Sequence, residues 1–233
     1  MSLHLLYGGT FDPIHLGHLA VAHAALATSC ATHLDFVPAA DPPHRAPPGA
    51  GFDDRADLVE LALAAEPPPL AGTWAIDRRE GQRAGPSFTV DTLREWRAEH
   101  GAVAPLGFVM GADAFLGLEG WREWGALFDL AHLLVARRPG VALDALPDNL
   151  ASACDTRWAI DAAELRDSPA GRVFIVDLPL RDESATAVRR ALGQGDHGAG
   201  DASPDHRPRA PGLPAAVAER IAARGLYRDG PRT

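Results

Sequence analysis

A short apolar run, Leu3 to Leu6, leads straight into GGTFDPIHLGHLAVAHAAL, Gly8 to Leu26. The run reads as a buried strand that ends at Gly8-Gly9. Apolar residues then recur at helical spacing from about Leu16 to about Thr28, which predicts a helix. Strand, glycine turn and helix start in succession make a place for phosphate. Unpaired N–H groups and the helix dipole point at the anion, and missing β-carbons let it approach. His15 and His18, three residues apart at the mouth of that helix, face the same side. The stretch matches neither G-x-G-x-x-G nor G-x-x-x-x-G-K-[ST]. As a zinc pair the two histidines fall short of the three or four ligands zinc takes.

A chain of 233 residues, 46% of them hydrophobic, is long enough for one sizeable core, so a single domain over 1–233 is expected. The formal charge of −9 argues against non-specific nucleic-acid binding. The sequence contains no lysine, so any side-chain cation gripping phosphate is arginine or protonated histidine. Cys30 and Cys154 stand apart without metal spacing and read as core thiols of a reducing compartment. No signal-peptide pattern opens the chain and no apolar run approaches membrane-spanning length, which predicts a soluble, cytoplasmic protein with no membrane partner.

Along the rest of the chain, strands are expected at His33 to Pro38, Thr73 to Asp77, Pro105 to Met110, His132 to Ala136 and Arg172 to Asp177. Helices are expected at Asp53 to Ala65, from Ser87 or Thr89 to His100, from Asp113 onward, and over Leu213 to Tyr227 with Gly225 closing the last. Alternation of this kind gives an α/β fold with a doubly wound, mostly parallel sheet whose ligands lie over the carboxyl ends of the strands. Val141 to Ala170 is ill-patterned and reads as a loop with a short helix. The Gly/Pro/Asp-rich stretch at about 194–212 reads as a flexible insert. Arg55, near a helix start, is unfavourable for the dipole; a bound phosphate, or an ion pair with Asp53, Asp54 or Asp57, would explain it.

GGTFDPIHLGHL resembles the signature of the nucleotidyltransferase superfamily, a histidine, any two residues, then a histidine. Within it the chain is similar to the bacterial nicotinate-nucleotide adenylyltransferase family. The resemblance implies an ATP site at Gly8, Gly9, Thr10, Phe11, His15 and His18. It continues at the superfamily's second signature, Ile-Ser-Ser-Thr-x-Ile-Arg, which here runs from Glu183 to Arg189. Glu183 and Ala185 depart from that pattern, whereas Ser184, Thr186 and Arg189 keep it.

The family's mononucleotide site maps onto PPHR, whose His44 and Arg45 match its PPH followed by lysine, and onto PSFT, where Phe88 replaces tyrosine and Thr89 is kept. Amides around Phe88 and Thr89 receive the nicotinate carboxylate in that family. Asp113 matches an aspartate that contacts nucleotide, and Trp121 a tryptophan stacked on pyridine, leaving Trp124 to pack. Either Arg137 or Arg138 matches an arginine near the mononucleotide phosphate.

The resemblance implies adenylyl transfer from ATP to nicotinate mononucleotide, catalysed by His15, His18 and Arg189, with Mg2+ accompanying ATP and no protein-bound metal. Rival readings are a sister enzyme acting on pantetheine phosphate or nicotinamide mononucleotide, a cytidylyltransferase, and a non-catalytic nucleotide-binding protein. A homo-oligomer is neither required nor excluded.

Overall fold

The computed structural model describes residues 2–43, 46–67, 73–137, 143, 145–178, 184–194 and 211–228. Six strands form one sheet: β1 (His4–Gly9), β2 (His33–Pro38), β3 (Thr73–Ile76), β4 (Leu106–Gly111), β5 (His132–Arg137) and β6 (Val173–Asp177). Their order is β3-β2-β1-β4-β5-β6, and every adjacent pair is parallel. The mostly parallel sheet expected from sequence is therefore parallel throughout these strands. The winding direction reverses between β1 and β4, where the connections after the two strands diverge and leave a crevice at their carboxyl ends.

Helices cover both faces: α1 (Leu16–Ser29), α2 (Phe52–Ala65), α3 (Thr89–His100), α4 (Ala112–Leu116), α5 (Leu127–Leu130), α6 (Asp148–Cys154), α7 (Glu164–Asp167), α8 (Ala185–Gln194) and α9 (Ala215–Arg224). Side chains alternate across each strand, so the sheet separates two cores. Leu5, Tyr7, Phe36 and Val176 pack with Leu26 of α1, Val59 of α2 and Ile221 of α9. Leu6, Val37, Phe108 and Val135 pack with Leu93 and Trp96 of α3, Phe115 of α4 and Phe128 of α5. Burial on both faces is why HLLVA reads as a continuous apolar run rather than an alternating one.

Several expected boundaries move. β1 starts at His4 rather than Leu3 and ends, as expected, at the glycine pair, with Gly8 and Gly9 still paired to Val37 and Pro38 of β2. A β-carbon on Gly8 would lie 2.5 Å from the Phe108 ring, and one on Gly9 2.9 Å from the Phe11 ring. Close aromatic packing thus requires both glycines, whatever ligand they also admit. Residues 141–170 hold two short helices, α6 and α7, and Trp158 bridges to Val173. α9 is shorter than expected, but Gly225 closes it in the left-handed conformation, φ 65°. Most of the 194–212 insert lies outside the described residues, and no described helix is long and apolar enough to cross a membrane.

Candidate active site

The crevice between the β1 and β4 ends opens into a cleft of about 1680 Å³. Gly8, Gly9, Thr10 and Phe11 form its floor with His15 and His18; Ser184, Thr186 and Arg189 come from α8 and its start. Phe88, Thr89, Asp113 and Trp121 also line it. The two superfamily-like signatures and the aromatic-acid candidates, remote in sequence, therefore share one cavity.

His15 occupies the position before α1, with extended backbone (φ −144°, ψ 170°), and is 2% exposed. The His15 and His18 rings stack with centroids 3.7 Å apart. The His15 amide donates to His18 Nδ1 at 3.3 Å. Accepting that bond takes the Nδ1 lone pair, which in the neutral ring puts the proton on Nε2. The ring of Phe11 stands edge-on to His18 at 5.0 Å and to Tyr7 at 5.4 Å, walling the imidazole on the side of the core. Phe11 holds φ 48°, a left-handed backbone that turns the chain from β1 toward α1.

α8 opens with Ser184, whose Oγ accepts the Ala187 amide at 3.2 Å. One turn on, Arg189 donates to the Asp12 carbonyl at 2.5 Å and lies 3.5 Å from the Asp12 carboxylate and 3.5 Å from Thr186 Oγ. Asp12 is itself held: Oδ2 accepts the Gly49 amide at 2.8 Å and Oδ1 the Ala50 amide at 3.3 Å. Tyr227 packs its ring beside Gly49, and burial together with the Asp12 charge pushes its phenol pKa well up.

Arg55 resolves differently from either explanation available in the sequence. It is 1% exposed and points inward. Its guanidinium donates to Ala50 O at 3.1 Å, Thr10 O at 2.5 Å and Ala40 O at 3.2 Å. Asp54 pairs with Arg224, and Asp57 with both Arg224 and Arg78. Burial lowers the Arg55 pKa, opposed by the nearby Asp12 charge. Arg55 thus joins three loop carbonyls behind the site wall, where a flexible loop would otherwise blur the cleft.

On the opposite wall, α3 starts at Thr89 without a side-chain cap. Ser87 does not cap α3; its Oγ accepts the Ala40 and Asp41 amides at 2.9 and 3.1 Å, tying the α3 entry to the loop after β2. The Asp91 and Thr92 amides donate to the Phe88 carbonyl at 3.0 and 3.3 Å, and the amides of Thr89 and Val90 precede them at the start of the helix. Trp121 borders the cleft and meets Phe108 edge-on at 6.4 Å, whereas Trp124 packs on Phe128 at 6.3 Å. Arg122 lies over the Phe88 ring at 4.7 Å.

Arg137 is not on the cleft wall: it is turned to Asp177, its register partner on β6, with contacts of 2.8 and 2.7 Å. His44, Arg45, Arg138 and Glu183 lie outside the described residues. Sequence reasoning missed Asp12 and Tyr227 as organisers of the site. Asp12 carried one available signal, a carboxylate placed between the glycine pair and the histidine pair; Tyr227 carried none.

The cytidylyltransferase-like family model matches residues 6–191. A probable nicotinate-nucleotide adenylyltransferase of Stenotrophomonas maltophilia is 48% identical over 98% of this chain and 98% of its own. A relative of the same name from Halorhodospira halophila is 44% identical over 95% of this chain and 94% of its own. Among solved structures, Plasmodium falciparum nicotinic acid mononucleotide adenylyltransferase complexed with NaAD superposes with a TM-score of 0.71 at 14% identity. It covers 97% of this chain and 98% of that one, a likeness of fold. On its matching residues and full-length likeness, the chain belongs to the nicotinate-nucleotide adenylyltransferase family within the cytidylyltransferase-like group.

Proposed function

We propose that the cleft transfers the adenylyl group of ATP to nicotinate mononucleotide, giving deamido-NAD and pyrophosphate in NAD biosynthesis. The observation that carries this reading is the Arg189–Asp12 contact, which brings α8 against the turn holding His15 and His18. Two phosphate-suited elements then face one space, and Trp121 with the open start of α3 supplies a separate place for an aromatic acid.

In this reaction the mononucleotide 5′-phosphate oxygen attacks the α-phosphorus of ATP in line. The bond from Pα to the bridging oxygen breaks, and its electrons leave with pyrophosphate. The attacking oxygen is already anionic at neutral pH, so the site needs no general base, and none of the residues described above is asked to be one. His18 Nε2–H, His15 and Arg189 would stabilise charge on the α-phosphoryl and leaving groups. The start of α8 would hold the remaining phosphates, and Trp121 and the α3 amides would orient the pyridine.

Mg2+ would be held chiefly by ATP and water, neutralising β- and γ-phosphate charge. The described residues fit that arrangement. Of the carboxylates that line the described cleft, Asp12 is committed to Gly49, Ala50 and Arg189 and Glu80 accepts from the Thr92 hydroxyl, and Asp113 stands just past the end of β4. The substrates are soluble metabolites, which supports a cytoplasmic location.

Pyrophosphate release from ATP with nicotinate mononucleotide, nicotinamide mononucleotide or phosphopantetheine tests the reading. Release with the first, at higher kcat/KM than with the others, is expected; none with the first sinks it.

A further inference from the structure

A second cluster of titratable groups lies at the opposite end of the strands. His4 and His33 are the first residues of β1 and β2 and are register partners, and Asp35 follows two residues later on the same sheet face. Gly9 lies five positions beyond His4 along β1, which at strand rise puts His4 about 17 Å from the nucleotide cleft.

His4 Nε2 lies 2.8 Å from Asp35 Oδ2, and His33 Nε2 lies 2.8 Å from Asp35 Oδ1. One ligand atom from each of the three residues falls within 4.8 Å of the others. The two rings are 4.6 Å apart. The side chains are 22%, 33% and 15% exposed for His4, His33 and Asp35, so solvent reaches them but does not flood them.

We propose that His4, His33 and Asp35 form a binding site for a divalent transition-metal ion, with zinc the ion their chemistry suits. Two imidazoles and a carboxylate are a ligand set zinc takes with a water in the fourth position. Tetrahedral bonds of about 2.0–2.2 Å place neighbouring ligand atoms about 3.3 Å apart, so each 2.8 Å contact to Asp35 would open by about half an ångström.

Two further observations support a built site. Thr73 Oγ lies 2.7 Å from His33 Nδ1, holding the ring from its far side as the outer partner of a metal-bound histidine does. A cleft of about 370 Å³, walled by Asp77, Arg78, Arg79 and Glu99, reaches Asp35 and gives room for water beside it. His100 is near His4 but directs Nδ1 to the Trp96 carbonyl at 3.0 Å, and is not needed as a ligand. The ion would link β1 to β2, and through Thr73 to β3, at the end of the sheet remote from the cleft.

The test uses the full chain stripped with chelator and titrated with Zn2+ alone, then with Co2+ as a spectroscopic probe. One equivalent is expected to bind, to raise Tm by about 5–10 °C at a hundredfold excess over Kd, and to give the intense visible bands of tetrahedral cobalt. A His4→Gln/His33→Gln double variant should lose that equivalent, while His18→Ala, which removes the competing pair in the cleft, should keep it. Absence of a stoichiometric equivalent in the wild type, or its survival in the double variant, overturns the proposal. If the double variant does not fold, Asp35→Asn and the wild-type cobalt spectrum decide. Loss of the equivalent with Asp35→Asn, together with tetrahedral bands, supports the site; its retention, or octahedral bands, removes it.

Discussion

Arg189 and Asp12, 177 residues apart, meet at 2.5 Å through the Asp12 carbonyl, with the carboxylate 3.5 Å away. This contact joins the chain's first turn to the helix α8 that follows the last strand. Asp12 Oδ2 accepts the Gly49 amide and faces Arg189, while Oδ1 accepts the Ala50 amide. Asp12→Asn keeps the shape but removes the charge facing Arg189 and weakens an amide acceptor. It should destabilise the protein by about 1–3 kcal/mol and lower kcat by about tenfold. Urea unfolding and steady-state rates measure the two effects, and an unchanged kcat would show that Arg189 does not depend on Asp12 for its place.

His18 lines the cleft, and its Nδ1 takes the His15 amide. His18→Ala should cost at least about 10²-fold in kcat with little change in Tm, the scale of losing one charge-stabilising donor, and a loss below about threefold would reassign the ring to structure.

Trp121 and Trp124 are separated by their surroundings rather than their spacing. Trp121→Ala should raise KM for the mononucleotide about tenfold or more, the worth of one stacked ring, while leaving KM for ATP nearly unchanged. Trp124→Ala should spare both KM values and lower Tm, since that ring packs on Phe128. Equal losses for the two substrates in Trp121→Ala would place the pyridine elsewhere.

Arg55 supplies donors to three carbonyls, the Ala50 bond buried and the Thr10 and Ala40 bonds partly so. Arg55→Met should destabilise the fold by about 3–5 kcal/mol, since it strands those acceptors behind the cleft. Arg55→Lys should recover only part of the loss, because an ammonium cannot span the three directions of the guanidinium. Denaturant midpoints compare the set, and full recovery by lysine would mean that charge alone matters.

His132 is fully buried on β5; Nε2 faces the Ser168 carbonyl at 2.9 Å and Nδ1 accepts the Arg172 amide at 3.0 Å. Burial lowers its pKa, with nearby Arg97 and Arg172 adding to the effect. The neutral form is therefore favoured in the folded state, and the unfolded chain binds a proton at higher pH. The His132 contribution is fully present above its unfolded pKa of about 6.5 and is lost as pH falls from there through the folded value. His132→Gln should flatten the decline of Tm between about pH 7 and pH 5; an unchanged slope in the variant would exclude His132 as its source.

Much of the architecture was legible because both sheet faces are covered. HLDFVP was read over the span it occupies, and HLLVA and RVFIVD within one residue at an end, since buried parallel strands are unbroken apolar runs bounded by turns. The histidines at i and i+3 announced a shared face, and their rings stack. The boundary at Gly8-Gly9 was legible, but not the packing role of Gly8, which lets the ring of Phe108, 100 residues away, lie against the strand.

What a residue type and its spacing can announce, the sequence determined: an alternating α/β chain, a glycine turn into a helix, two histidines on one face, and a second phosphate-suited helix start. What depends on direction came only from tertiary structure. Arg55 points inward to three carbonyls, Arg137 turns to Asp177 instead of the cleft, Trp121 rather than Trp124 borders the ligand space, and Asp12 joins α8 to the first turn. An arginine or an aspartate reads the same in a sequence wherever its side chain goes. Its partner is settled by strand order and register, which place residues far apart in the chain within hydrogen-bonding reach.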